Sequence, residues 1–299
     1  MTIEKYLQDL LKSQDLTEQQ EEDLQKHKKE ITDYLRKEFG NDPIIKYAGS
    51  REKGTMISER YDLDVVCYFP SSDDRSLKEI REDVAHHLED KYELTHKSSS
   101  ERIMDLKGSQ APVDFHIDVV PGRFIEDTKD VFLHVAYGDK QRMQTNLRTH
   151  IDHIKDSGCV EIIRLVKLWA HRNDLKIKTF ILELFIVKVL TEYKDKGNLQ
   201  KSFLKVLEEF NDRYSTIQLI DPANTNNVVS KLVSDSEKES ITQMAKRTYT
   251  KIENSDDLSD WKETFVDNDS NSSSKVASTS AYTVGSSFQP SKPWSNDYR

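Results

Sequence analysis

Gly49-Ser50, then Asp62-Leu63-Asp64 twelve residues later, then Asp118 in the run His116-Ile117-Asp118-Val119-Val120-Pro121, together confine what this chain can fold into. Each element lies in or beside a segment with strand character. The residues after the acidic pair, Val65, Val66, Cys67, Tyr68 and Phe69, are apolar, β-branched or aromatic and read as a buried strand. Side chains two apart on a strand share a face, so Asp62 and Asp64 point the same way. Residues 113–120 alternate likewise, with Asp114, His116 and Asp118 on one face and Phe115, Ile117 and Val119 on the other. The polar faces of two such strands can meet.

The turn Gly49-Ser50-Arg51-Glu52-Lys53-Gly54-Thr55 follows an expected strand at Ile44, Ile45, Tyr47 and Ala48. Its glycines allow backbone angles and close approach that a side chain would block. A turn of this kind opening into a short helix can aim N–H groups and the Ser50 hydroxyl at a β- or γ-phosphate. Acids that share two hard cations beside such a loop supply most of what phosphoryl chemistry asks of a protein, namely positioning and charge neutralisation. The pattern therefore reads as metal-assisted nucleotidyl transfer. Asp114 competes with Asp118 for the place of third acid on alternation alone, and His116 is given no role.

The chain of 299 residues is long enough for one bilobed globule or two domains. Four stretches are expected. Residues 1–39 form N-terminal helices, split near Ser13-Gln14-Asp15, with Thr17 and Gln20 spaced as a capping box. Residues 40–145 carry the strands of a catalytic lobe, and 146–253 form a helical lobe. In the latter, an apolar stripe marks a helix over 159–172, with Lys167 at its edge. Residues 254–299 read as a flexible tail, because from Asp267 onward Asn, Asp and Ser leave little apolar surface to bury. Tyr282, Phe288, Trp294 and Tyr298 are scattered in it as candidate docking points.

A net charge of −9 lacks the basic character needed to grip long nucleic acid, so free nucleotides are the favoured substrates. Cys67 and Cys159 form neither a zinc site nor a disulfide framework. No run of eighteen apolar residues and no signal-peptide pattern occurs, and the expected location is the cytoplasm, away from membranes.

Gly49-Ser50 with Gly54-Thr55, Asp62-Leu63-Asp64 and Ile117-Asp118-Val119-Val120-Pro121 resemble the nucleotidyltransferase core of the DNA-polymerase-β-like superfamily. Arg164-Leu165-Val166-Lys167-Leu168-Trp169, Lys178-Thr179-Phe180-Ile181-Leu182-Glu183-Leu184 and Asp221-Pro222-Ala223-Asn224-Thr225-Asn226-Asn227 resemble the helical half of oligoadenylate synthetases, of cyclic GMP-AMP synthase, and of their bacterial relatives, the CD-NTases. The resemblance runs from about residue 40 to about residue 250. It implies an α+β fold, bilobed, with a mixed-sheet catalytic lobe and a helical lobe meeting at the active-site cleft.

Residue by residue, the resemblance implies that Asp62 and Asp64 bind two Mg²⁺ ions, for which Mn²⁺ can substitute. Asp118 is preferred as third acid because Val119-Val120-Pro121 follows it, and it would bind the ion that activates a ribose hydroxyl. Gly49 and Ser50 would hold the triphosphate, Lys167 and Thr179 would approach it from the other lobe, and Phe180 would stack on a base. Thr179 stands where serine is more usual. The implied activity joins nucleoside triphosphates, ATP among them, into a cyclic di- or oligonucleotide that switches on a separate effector in bacterial antiphage defence. The alternatives are a linear oligoadenylate or RNA-end transferase, and a toxin-type enzyme that modifies tRNA or protein. The zinc-containing insertion of vertebrate cyclic GMP-AMP synthase has no Cys/His counterpart here.

Overall fold

Leu63, Val65, Cys67 and Phe69 pack into one apolar cluster while the alternating Val66 and Tyr68 pack into another, so β2 (Leu63–Phe69) is covered on both faces. This period of two explains the nearly unbroken apolar run that follows Asp64. In the computed structural model, which describes residues 1–104, 115–137 and 141–266, β2 lies one strand in from the edge of a seven-stranded mixed sheet. The antiparallel β1 (Ile44–Tyr47) lies on one side of it and the parallel β5 (Ile117–Phe124) on the other. Beyond β5 come β4 (Glu101–Ile103) and β3 (Leu94–His96), while β6 (Val131–His134) joins the far end of β5 and pairs with β7 (Arg142–Thr145).

β5 begins at Ile117 rather than at 113, and Asp114 lies outside the described residues. The strand runs through Pro121, which has no N–H to give to a neighbour. Its position makes this harmless: β4 pairs with residues 117–119 and β6 with residues 123–124, so Pro121 falls in the gap between the two partners.

One sheet face is covered by α2 (Glu18–Phe39) and α4 (Leu77–Glu89), through Leu24, Ile31 and Leu35 and through Ile80, Val84 and Leu88. Both helices open with the reciprocal capping box, Thr17 with Gln20 and Ser76 with Glu79. The short α3 (Gly49–Lys53) sits between β1 and β2. After β7, α5 (Leu147–Lys155) leads into the helical lobe of α6 (Val160–Arg172), α7 (Thr179–Leu190), α8 (Leu199–Asp212), α9 (Asp235–Ile252) and α10 (Leu258–Thr264). A two-stranded hairpin, β8 (Ile220–Asp221) with β9 (Asn224–Val228), interrupts the helices. Trp169 is fully buried among Phe203 and Phe210, and its indole N–H donates to Thr248 Oγ1 at 3.2 Å.

The α+β, bilobed fold is as expected, but two boundaries differ. The N-terminal helices are not a unit: α1 (Ile3–Ser13) buries Ile3, Leu7 and Leu11 in the helical lobe, whereas α2 belongs to the catalytic lobe. The stretch from 254, expected as tail, continues the fold instead. Trp261 and Phe265 of and after α10 are buried against Phe203, and Arg172 donates to the Phe265 carbonyl. The remainder of the expected tail, with its four aromatic residues, lies outside the described residues. Among the described residues no helix is long and apolar enough to cross a membrane.

Candidate active site

The turn between β1 and α3 is pressed onto the acid of the next strand. Ala48 N–H donates to the Asp64 carbonyl at 2.9 Å, and Gly49 adopts a left-handed φ of 62°. A β-carbon at Gly49 would lie 1.7 Å from Asp64 Oδ2, so only glycine lets the loop rest on this carboxylate. Ala48 offers no side-chain cap to α3, which leaves the N–H groups of the first turn to be met from outside the helix. Ser50 is buried in that turn, and Gly54 closes the helix at φ 76°.

Asp62 stands at the entrance to β2 with its side chain 40 % exposed, and Asp64 follows in the strand. The parallel register places Asp64 directly beside Asp118, so these carboxylates lie abreast on one face. On the other flank of Asp118 the antiparallel register puts Arg102 opposite it. Arg102 Nε donates to Asp118 Oδ1 at 2.8 Å and Nη2 to Oδ2 at 2.7 Å, a two-pronged pair. His116 Nε2 is 3.5 Å from Asp62 Oδ2 and 3.7 Å from Asp118 Oδ2. Burial, then the negative charges of Asp62 and Asp118, hold the Asp64 carboxyl well above the usual carboxylate range, against the pull of Lys53 and Arg102.

Acids that oppose one another's ionisation in this way are relieved by a divalent cation, and their oxygen donors suit Mg²⁺. Among the described residues, no three His, Cys, Asp or Glu side chains already converge as a finished cage. The reason is visible in the geometry, since both oxygens of Asp118 are turned to Arg102. Each oxygen keeps a further lone pair, so the donor set fits the ion while its final arrangement is left to binding.

The helical lobe supplies the opposite wall. Thr179 is exposed as the first residue of α7, and the half-buried Phe180 follows it. The Phe180 ring centroid is 4.8 Å from that of His150 and 5.3 Å from the Lys53 ammonium, so the ring expected to stack on a base also holds a lysine of the loop. Lys167 points its ammonium at the Thr55 carbonyl, 2.8 Å away, just past α3. Burial pushes its amine down, with Glu183 and Asp62 drawing it back up. The lysine thus braces the end of the loop from beneath.

Several residues of this site were not picked out from sequence. Glu183 is fully buried, with Lys53 Nζ donating to Oε2 at 2.7 Å and Thr55 Oγ1 to Oε1 at 2.8 Å. An acid inside the apolar run Ile181-Leu182-Glu183-Leu184-Phe185 was a readable signal. His150 Nε2 lies 2.7 Å from Asp221 Oδ1, which also accepts from Ala223 N–H at 2.9 Å and so holds the β8–β9 hairpin against α5. Arg102 carried no signal, because only the pairing of β4 with β5 brings it to Asp118.

Comparison with known proteins identifies the family and the fold. Residues 1–157 match the Second Messenger Oligonucleotide or Dinucleotide Synthetase domain family. The chain is 25 % identical over 236 residues to the cyclic AMP-AMP-AMP synthase of Escherichia coli (strain MS 115-1), covering 66 % of this chain and 72 % of that protein. It is similar in fold to E. coli MS115-1 CdnC with ATP, at 19 % identity and a TM-score of 0.63 over 82 % of this chain and 90 % of the other. The GTP complex of the Bradyrhizobium diazoefficiens CD-NTase CdnG gives a TM-score of 0.69 at 10 % identity, over 88 % and 95 %. With more than half of its length matched, the chain belongs to the second messenger oligonucleotide or dinucleotide synthetases, and is a nucleotidyltransferase of the CD-NTase kind.

Proposed function

We propose that this enzyme joins nucleoside triphosphates, ATP among them, into a cyclic di- or oligonucleotide second messenger with release of pyrophosphate. The observation that carries the reading is the register of β2 and β5, which sets Asp64 beside Asp118 under the Gly49-Ser50 turn. The E. coli relative named a cyclic AMP-AMP-AMP synthase supports ATP as a substrate and a cyclic product.

In this reading Asp62, Asp64 and Asp118 would hold two Mg²⁺ ions. When bound, such ions neutralise charge on the phosphates and acidify a coordinated hydroxyl. The chain's own groups do the positioning. Ser50 and the uncapped N–H groups of α3 hold the triphosphate over Asp64, while Lys167 supports that loop through Thr55. Thr179 meets the phosphates from the helical lobe, and Phe180 borders the place of a base. A ribose hydroxyl gives up its proton to solvent as its oxygen bonds to the α-phosphorus and the bridge to the β-phosphate breaks, and pyrophosphate carries off that electron pair. Arg102 keeps Asp118 oriented through two hydrogen bonds. The messenger would act on a separate effector in antiphage defence, inside the bacterial cytoplasm.

The test is incubation of purified protein with each labelled nucleoside triphosphate and with all four, in Mg²⁺ or Mn²⁺, beside an Asp62→Ala/Asp64→Ala control. Phosphatase-resistant, nuclease-distinguishable cyclic products from the wild type alone are expected. Linear products, or label transferred only to added tRNA or protein, would overturn the cyclic assignment.

A further inference from the structure

Glu183 is a carboxylate buried at the junction of the lobes, and nothing in the chemistry above uses it directly. It lies on α7 of the helical lobe with no exposed surface. Both of its oxygens are taken by the phosphate loop of the other lobe, one by Lys53 at 2.7 Å and one by Thr55 at 2.8 Å. Lys167, from α6, adds a third link by donating to the Thr55 carbonyl at 2.8 Å. Thr179 and Phe180 lie four and three residues before Glu183, hence on the same side of α7 and one turn away. Lys53, held by Glu183, also stands over the Phe180 ring at 5.3 Å.

From these contacts we infer that Glu183 is a positioning residue for triphosphate binding, fixing the Gly49-Ser50 loop and the first turn of α7 as one body. This rests on the reading that Ser50 and Thr179 face the same triphosphate. A purely structural pair would be expected to lose little on replacement by apolar groups, since the desolvation of buried ions offsets most of their attraction.

That difference provides the experiment. The probe is α,β-methylene-ATP with Mg²⁺, titrated calorimetrically into the full chain as wild type, Glu183→Gln and the double variant Lys53→Met/Glu183→Leu. Melting temperatures and the KM and kcat for ATP accompany the titrations. Glu183→Gln should weaken binding by about tenfold, the scale of a lost charge-assisted contact. The KM should rise with it, while kcat at saturation stays within about threefold. The double variant should regain the wild-type melting temperature yet bind as weakly as the single one. A double variant that binds the analogue like wild type would show the pair to be structural only. Failure of the wild type itself to bind would instead remove the triphosphate reading of the loop, and this inference with it.

Discussion

Replacing Gly49 by alanine separates backbone strain from displacement of an acid. At φ 62° the backbone is left-handed, and alanine there costs about 1 to 2 kcal/mol. The new β-carbon would also lie 1.7 Å from Asp64 Oδ2, where ordinary contact begins near 3.4 Å. The struck atom is the end of a side chain, so the fold survives by swinging the carboxylate away, a retreat of about 1.7 Å from the difference of those distances. Misplacing a reacting group by about 1 Å can cost about 100-fold in rate. Gly49→Ala should therefore lose at least about 100-fold in product formation, with a melting temperature lower by only about 2 to 8 °C. Gly40→Ala is the control for backbone strain alone, because Gly40 has φ 66° and ψ −143°, a region open chiefly to glycine, with no atom within 4 Å of its would-be β-carbon. It should lower the melting temperature by a similar or larger amount and keep wild-type turnover. If Gly49→Ala kept more than a tenth of wild-type activity, the contact between loop and acid would not be what glycine is there for.

Three further outcomes follow from the acids. Asp62→Ala should abolish turnover with little change in melting, since its side chain is partly in solvent. Asp118→Ala should abolish it as well but also cost about 3 kcal/mol or more, because Arg102 is left as an unpaired, largely buried cation. Adding Arg102→Met should restore the melting temperature and not the activity, and a thermally unchanged single variant would contradict the pairing. Asp64→Asn tests the raised carboxyl in metal-free, chelator-treated protein. The folded-state value lies above the unfolded one, so the unfolded chain releases its proton first and stability falls as pH rises from the ordinary carboxylate range through the raised one. The asparagine variant lacks that loss. It should melt higher than wild type at neutral pH, with the gap closing toward acid, and a gap that widens toward acid would reverse the sign of the argument.

Features written in local periodicity were legible in the chain. The buried run after Asp64, the capping box at Thr17 and the apolar stripe of α6 each depend on residues within a few positions of one another. What was not legible depends on pairing across distance. Asp118 could be preferred over Asp114 only through a resemblance, because alternation is blind to register, and it is register that sets Asp118 beside Asp64 and opposite Arg102. The sharing of the N-terminal helices between lobes was hidden for a similar reason. Both are amphipathic, and amphipathicity says that a face is buried without saying against what. Trp261 was overlooked because a short polar segment carrying one large aromatic anchor has a composition close to that of a tail.

The spacing between Ser50 and Asp62 has its own structural reason. After α3 the chain does not pass straight to β2. Met56 packs in the catalytic-lobe core, while its neighbour Ile57 packs in the helical-lobe core. Arg164 of α6 donates to the Met56 carbonyl at 3.0 Å, and Ser58 N–H donates to the Gln14 carbonyl at the end of α1 at 3.1 Å. Arg172 of α6 holds Glu59 with two nitrogens. The stretch thus dips into the seam between lobes and returns at Asp62, which takes more residues than a direct turn. A motion of one lobe against the other must either pivot on this seam or break these contacts. The Gly49-Ser50 turn at one end of the stretch and Asp62 at the other therefore both sit at an edge of the cleft tied to the two lobes at once, which on the proposed function would hold the triphosphate site in one shape.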